Sequence, residues 1–160
     1  MIYINNCEQN VKLGFDFLEN LPEDFDIAKS EYEKWIPFIL NISSPEKNIA
    51  ITQNMQACMT VYEIKKMFND LKALISGTRS DKDVKISHYS SESFFEFTLE
   101  YFRVDDCFSL EFWFITAEYP DGKIIGYDVG IRFIIEKSEM IHFMKEFQDR
   151  FRMICPQIDL

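Results

Sequence analysis

The sequence lacks the motifs that mark catalytic centres in small domains. It contains only two histidines, His88 and His142, and no HExxH, GxSxG, P-loop or GxGxxG pattern. Such patterns place metal ligands, a nucleophile or phosphate-binding amides at the spacing that their chemistry requires. We therefore predict a protein that is not an enzyme, with no catalytic residue, no metal site and no cofactor. We expect both histidines at the surface or at its boundary.

The cysteines are too widely spaced for a metal cluster. Cys7, Cys58, Cys107 and Cys155 form no CxxC pair, so a zinc site is not indicated. A chain of 160 residues, 47% of them hydrophobic, can bury a core without disulfide bonds. We expect reduced thiols in or near that core and a single domain over residues 1–160.

Long apolar runs and basic residues are also scarce. The longest apolar stretch, residues 35–40, is too short to cross a bilayer and contains Pro37. The N-terminal segment has neither the basic nor the apolar region of a signal peptide, so we expect a cytoplasmic protein without membrane contacts. The 27 Asp and Glu against 17 Lys and Arg give a formal net charge of −10. That charge disfavours nucleic acid and favours basic partners.

Two amphipathic helices are predicted. Thr60 and Glu63 have the spacing of a capping box at the start of an apolar stripe, which Gly77 ends. A second stripe begins near Ser138, and Pro156 prevents its continuation.

The remaining segments predict strands. Apolar and polar residues alternate over residues 2–4 and 11–17, and Trp35–Ser43 with residues 48–52 predicts a hairpin. A meander is predicted from a possible strand at residues 84–88 and from three long segments rich in aromatic and β-branched residues, 94–104, 108–118 and 125–135. Asp105-Asp106 and Asp121-Gly122 are its predicted turns. The fold class is α+β, an antiparallel β-sheet (the meander plus the N-terminal hairpins) with two amphipathic helices packed on one face.

The register of the meander follows from its turns. If both turns have two residues, Phe97 faces Phe114, and Phe112 faces Ile131. The apolar residues then share one face of the sheet, and we expect the helices to dock there.

The opposite face of the meander is acidic with a central aromatic residue. In this register Glu111 faces both Arg132 and Glu100, and Trp113 faces Gly130. An aromatic anchor within a charged rim is typical of protein interfaces, although an ordinary solvated sheet face can carry the same residues. The predicted partner-binding residues are Glu96, Glu100, Glu111, Trp113, Asp128 and Arg132.

Three segments carry a resemblance to a known family: WIPFILNIS, TVYEIKKMFNDLKALISG and GYDVGIRFIIEKSEMIHFMKEFQDRF. Their order and apolar spacing, over about residues 34–153, resemble the WapI-like immunity proteins. The resemblance implies a small bacterial protein that is encoded beside a polymorphic, contact-dependent toxin and neutralises the toxin's C-terminal domain by binding it in the cytoplasm. It offers no functional residues to carry over. The expected partner is a protein, such as a basic toxin domain, and the expected state is a monomer or weak dimer.

Other interpretations remain open. A second candidate surface is the acidic segment 22–33, which carries Phe25 and Ile27. The chief alternative function is a small-molecule-binding α+β domain of unknown ligand, without catalysis. Its pocket residues would be Met67, Met144, Phe147 and Phe112. A metal-dependent hydrolase could use the sheet-face glutamates, and a homo-oligomer could associate through Trp113 and Ile115.

Overall fold

The computed structural model describes residues 1–77, 85–115 and 128–160. Nine strands and two helices lie within these ranges. The strands are β1 (Ile2–Asn5), β2 (Lys12–Phe17), β3 (Trp35–Ser43), β4 (Asn48–Ile51), β5 (Cys58–Thr60), β6 (Lys85–Tyr89), β7 (Phe95–Phe102), β8 (Cys107–Phe114) and β9 (Val129–Glu136). The helices are α1 (Val61–Ile75) and α2 (Lys137–Ile154), and a 3₁₀ turn covers Gln53–Met55.

The strands form two antiparallel sheets. The first has the order β1-β2-β3-β4, and β5 pairs with the beginning of β3. Strand β3 is long enough for two partners along one edge, because residues 35–37 pair with β5 and residues 40–43 pair with β4, while β2 pairs with its other edge. The second sheet has the order β6-β7-β8-β9. The predicted α+β fold with antiparallel strands is confirmed, and the structure divides those strands between two sheets.

The core lies where the two sheets and both helices meet. Phe147 of α2 packs on Phe15 of the first sheet and on Phe68 of α1, with ring centroids 5.4 and 6.2 Å apart. The sheets contact each other through Phe38 and Phe95, whose centroids are 5.7 Å apart. Aromatic rings that bury large areas thus join all the layers, and the outer face of each sheet is left toward solvent.

Helix α1 begins where the sequence predicts, with one difference. The Thr60 hydroxyl accepts a hydrogen bond from the Glu63 amide at 3.1 Å, which is half of a capping box. The Glu63 carboxylate accepts hydrogen bonds from Ser91 in the β6–β7 turn instead of reaching back to Thr60. Gly77 follows the helix with a φ of 67°, the left-handed conformation that glycine tolerates.

The first hairpin of the meander differs from its predicted register. Phe97 lies opposite Phe112, where the prediction placed Phe114. The shift amounts to two residues, and side chains alternate with a period of two. Every side chain therefore keeps its predicted face, and the apolar face toward the helices is retained.

A longer loop causes the shift. Residues 103–106 connect β7 to β8, in place of the predicted two-residue turn at Asp105-Asp106. Asp106 adopts a φ of 49°. Its carboxylate accepts hydrogen bonds from Tyr101 and from Lys137, the latter at 3.0 Å. These contacts tie the loop to the start of α2, which turn propensity alone does not reveal.

The second hairpin keeps its predicted register. Phe112 faces Ile131, and Trp113 faces Gly130. The predicted turn at Asp121-Gly122, the predicted loop at residues 78–82 and the predicted strand residues 84, 116–118 and 125–127 lie outside the described residues.

The four cysteines are free thiols at different depths. Cys155 is buried, Cys58 and Cys107 are half-buried, and Cys7 is exposed. Burial raises the pKa of the Cys155 thiol to about 11, so that thiol stays protonated and inert at neutral pH. Neither helix within the described ranges is apolar enough over a sufficient length to cross a bilayer.

Candidate partner-binding face

The outer face of the second sheet carries the residues predicted to bind a partner. Strand pairing aligns its side chains in rows that cross the strands. The first row is Tyr89, Glu96, Trp113 and Gly130, the second is Ser87, Thr98, Glu111 and Arg132, and the third is Lys85, Glu100, Ser109 and Ile134. We call these twelve residues the outer face. It brings together all the predicted site residues except Asp128, which is exposed just before β9.

Glu111 is already engaged within the chain. The indole Nε1 of Trp113 donates a 2.9 Å hydrogen bond to Glu111, and Arg132 donates from Nε at 3.1 Å and from Nη2. These donors hold the pKa of Glu111 below its usual range. The predicted pairing of Glu111 with Arg132 is confirmed, so both charges are largely satisfied before any partner arrives.

Glu100 does not lie opposite Glu111, contrary to the prediction. Thr98 occupies that position, and Glu100 lies between Ser109 and Lys85. The reason is the four-residue loop, which moves β7 by two residues relative to β8. The two carboxylates therefore belong to different rows, and Lys85 is the cross-strand neighbour of Glu100.

Trp113 lies over Gly130, as the register predicts. A Cβ atom at position 130 would lie 2.5–2.6 Å from three carbon atoms of the indole ring, far inside normal contact distance. Glycine therefore leaves the space in which the ring rests. The Trp113 side chain is still 37% exposed, so a partner can contact it.

Glu96, like the exposed Glu100, is a carboxylate of the outer face that forms no ion pair within the described ranges. It lies between Tyr89 on β6 and Trp113 on β8, and it is half-buried. Within the described ranges no lysine or arginine pairs with it. Tyr89 is 68% exposed, and the sequence did not indicate it because the predicted strand 84–88 ends one residue earlier. Extending the alternation of that strand by one residue would have placed Tyr89 beside Glu96.

The second predicted surface, residues 22–33, is a loop fastened to α1. Tyr32 stacks on Tyr62 with ring centroids 4.2 Å apart, and Glu31 forms a 2.6 Å ion pair with Lys65. Part of the charge and aromatic surface of this loop is therefore already engaged in contacts within the chain. The outer face presents Trp113 and Tyr89 beside Glu96 in one row, and we take it as the stronger candidate.

A polar cluster of the buried Glu63 and His88 with the exposed Ser91 joins α1 to the β6–β7 turn. Ser91 donates to the Glu63 carboxylate from its amide at 3.1 Å and from its hydroxyl at 2.5 Å. His88 Nε2 lies 3.2 Å from the same carboxylate, without good hydrogen-bond alignment. Burial raises the pKa of Glu63, but these contacts outweigh burial and hold it below its ordinary value.

This cluster is not arranged as a catalytic triad. In a triad the serine hydroxyl bonds to the imidazole, which removes its proton. Here the Ser91 hydroxyl bonds to Glu63, so His88 does not act on it. His88 is also buried, at 8% exposure, and the prediction of a surface or boundary position was wrong. The burial of His88 could not be predicted, because its partner Glu63 is distant in the sequence.

A small apolar cavity lies between the sheets and the helices. Its volume is about 60 Å³, and its lining includes Met67, Phe112 and Phe147 but not Met144. Ligand pockets commonly measure about 300–1,000 Å³ and contain polar groups that orient the ligand. This lining is apolar throughout, so the cavity gives little support to a small-molecule site. Among the described residues, no group of three or more His, Cys, Asp or Glu side chains is placed to hold a metal ion.

Comparison with known proteins gives a family match over most of the chain. The model of the family described as "Immunity protein WapI-like family" matches residues 4–152. No curated protein matches the chain. Among solved structures, one described as the plant transcriptional regulator PBF-2 aligns with a TM-score of 0.46 and 11% identity, covering 97% of this chain and 80% of that chain. A similarity at that level supports no statement about the function of this protein.

Proposed function

The chain belongs to the WapI-like immunity protein family, and we propose that it neutralises one cognate toxin domain by stoichiometric binding through the outer face. Its action is physical occlusion in the cytoplasm and requires no catalytic group of its own. The family implies a protein partner in general, and the outer face supplies the chemistry by which we expect that partner to be recognised.

The observation that carries the proposal is one row that combines exposed aromatic side chains with an acid that no described lysine or arginine pairs with. Tyr89 and Trp113 offer rigid contact area on either side of Glu96. Aromatic residues dominate binding energy at interface centres. A formal net charge of −10 favours encounter with a basic domain, such as a toxin whose cleft holds nucleic acid.

Growth rescue tests the proposed function. The C-terminal domain of the protein encoded immediately upstream is expressed with and without this chain. We expect the domain alone to arrest growth, and coexpression to restore growth through a complex that copurifies. Toxicity that persists despite abundant folded protein would contradict the proposal.

Charge reversal then tests the surface. We expect Glu96→Lys with Glu100→Lys to raise the dissociation constant at least about tenfold, because the outer face would repel a basic partner. Glu46→Lys with Asp159→Lys, at two exposed positions outside the outer face, is the matched control and should bind as the unmodified chain does. Calorimetry measures both. Equal affinity for all three proteins would show that the partner does not bind this face.

A further inference from the structure

The outer face has an apolar end, on the side where the loop of residues 103–106 connects β7 to β8. A fourth row continues the outer face there, and it consists of Phe102, Cys107 and Glu136. Phe102 of this row and Ile134 of the third row are both exposed, and Val104 in the loop is 98% exposed. Three large apolar side chains are thus open to solvent at the end of the sheet that is furthest from Trp113.

Val104 occupies a position where local preferences do not explain a valine. Gly, Pro, Asn, Asp and Ser dominate turns, whereas valine favours strands. At 98% exposure the side chain makes almost no contact within the chain, so its burial cannot stabilise this fold. A single exposed apolar residue is common at protein surfaces, but this one lies at a loop tip next to a row that contains Phe102.

The loop that carries Val104 is fixed to helix α2. The Asp106 carboxylate accepts hydrogen bonds from the Tyr101 hydroxyl and from Lys137 Nζ, the latter at 3.0 Å. Lys137 Nζ also donates a 3.3 Å hydrogen bond to the Tyr101 hydroxyl oxygen, and the Tyr101 ring packs on Phe108 with centroids 5.0 Å apart. A loop held in this way loses little conformational entropy when a partner binds it, which favours binding.

The charge of the chain determines which partner fits this end. Asp105 follows Val104 in the exposed loop, and the third and fourth rows contain Glu100 and Glu136. A second copy of the chain would bring the same acids and a formal net charge of −10 against them, which is unfavourable. A basic protein surface complements them. The partner that fits therefore offers an apolar pocket with lysine or arginine at its rim.

One partner can contact both ends of the outer face. Trp113 in the first row and Cys107 in the fourth are six residues apart on β8, which corresponds to about 20 Å. A standard interface covers about 800 Å² of each partner, a patch roughly 30 Å across. The apolar end and Trp113 therefore fit within a single interface.

We propose that the loop of residues 103–106 inserts Val104 into an apolar pocket of the partner, and that Phe102 and Ile134 contact the surface around this pocket. The inference rests on the proposed function, because the partner is the toxin domain of that proposal. It adds a second anchor to the interface, at the opposite end from Trp113. Burial of a valine side chain strengthens binding about ten- to hundredfold.

Substitution of Val104 separates insertion into an apolar pocket from attraction by charge. Val104→Asp makes the loop more acidic, so attraction to a basic domain would by itself preserve or strengthen binding. Insertion predicts the opposite, and we expect the dissociation constant for the toxin domain to rise at least about tenfold by calorimetry. Met153→Asp is the matched control, because it replaces an exposed apolar residue in the last turn of α2, and it should bind as the unmodified chain does. Circular dichroism and the melting temperature verify folding.

Three outcomes would count against the proposals. Equal or tighter binding of Val104→Asp, while the unmodified chain rescues growth, would overturn the inference and leave the immunity function standing. A dimer of the unmodified chain that Val104→Asp dissociates, seen by light scattering with toxin binding unchanged, would assign the loop to a second copy and also overturn it. Failure of rescue by the unmodified chain would instead count against the proposed function.

The order of the loop is measured without any toxin. Asp106 has a φ of 49°, so Asp106→Gly tolerates the same backbone conformation and removes the carboxylate that holds the loop. By NMR relaxation we expect an order parameter of about 0.85 for the Val104 amide in the unmodified chain and below about 0.6 in the variant. The variant should also bind the toxin domain at least about threefold more weakly, although it retains Val104. A Val104 amide that is already flexible in the unmodified chain would overturn the inference.

Discussion

At the scale of single residues, glycine and glutamate positions determine what the outer face and the core can do. Gly130 is required by space, because a side chain there would overlap Trp113. Gly77 is required by conformation, because its φ is 67° and nothing lies within 4 Å of a Cβ built on it. The two glycines therefore predict different consequences for the same substitution.

Gly130→Ala should displace the Trp113 ring with a modest effect on stability. In a Trp35→Phe background Trp113 is the sole tryptophan, and we expect its fluorescence maximum to move to longer wavelength as the ring leaves the sheet. Gly77→Ala should leave that emission unchanged and lower the free energy of unfolding by about 1 kcal/mol, the cost of a left-handed non-glycine residue. Identical spectra for Gly130→Ala and its parent would show that the ring does not need this space.

Glu63 should contribute to stability in a pH-dependent way. Its pKa in the folded chain is held below the usual 4.5, so its contribution is fully present above the unfolded pKa and is lost as pH falls through the folded pKa. We expect Glu63→Gln to flatten the fall of the free energy of unfolding between about pH 5 and pH 3, since the group that titrates there is gone. Urea unfolding at several pH values measures it. An unchanged acid slope would contradict the assignment.

Glu63→Ala should be more damaging than removal of one of its donors. It would remove both hydrogen bonds from Ser91, each worth about 1 kcal/mol, and water can reach the exposed Ser91 in their place. Ser91→Ala removes only the hydroxyl and keeps the amide contact, so we expect a smaller loss. Unfolding in urea at pH 7 ranks the two variants, and the reverse order would show that the carboxylate is not the centre of the cluster.

At the scale of elements, local features of the sequence predicted most of the helices and strands. Strand β3 has the predicted bounds Trp35–Ser43, and α1 begins after Thr60. Both are marked by nearby residues, namely a turn after the strand and a hydroxyl cap before the helix. Strand β5 was not predicted, since its three residues become a strand only by pairing with β3.

The Thr60 cap should contribute measurably to the stability of α1. Thr60→Ala removes the acceptor of the Glu63 amide, and we expect a loss of about 1 kcal/mol in the free energy of unfolding. Thr60→Ser keeps the hydroxyl and should recover most of that loss. If the serine variant were as unstable as the alanine variant, the buried methyl group of Thr60 would matter more than its hydroxyl.

At the scale of the whole molecule, net charge should govern how fast the partner binds. With a formal charge of −10, we expect the association rate with a basic toxin domain to fall about tenfold or more as salt rises from about 50 to 500 mM, because screening weakens long-range attraction. The dissociation rate should change much less, since it depends on short-range contacts. Stopped-flow fluorescence separates the two rates, and a salt-independent association rate would contradict electrostatic steering.

The sequence by itself determined the α+β class, the two helices and which side chains share a face of the meander. These follow from periodicity, caps and turns, which are local, and a register shift of two residues leaves faces unchanged. The sequence also predicted the cross-strand pairs Glu111–Arg132 and Trp113–Gly130, because an assumed two-residue turn between β8 and β9 gives the register that the structure has.

Only the tertiary structure decided which residues flank Glu96 and Glu100. Glu96 lies beside Tyr89 and Trp113, and Glu100 lies between Lys85 and Ser109. The four-residue loop, held by contacts to α2, set these neighbours because it moves β7 relative to β8. The division into two sheets, and the burial of His88 against Glu63, likewise arise from contacts between residues distant in the chain. Such contacts depend on how whole layers pack, and no local pattern of residues encodes them.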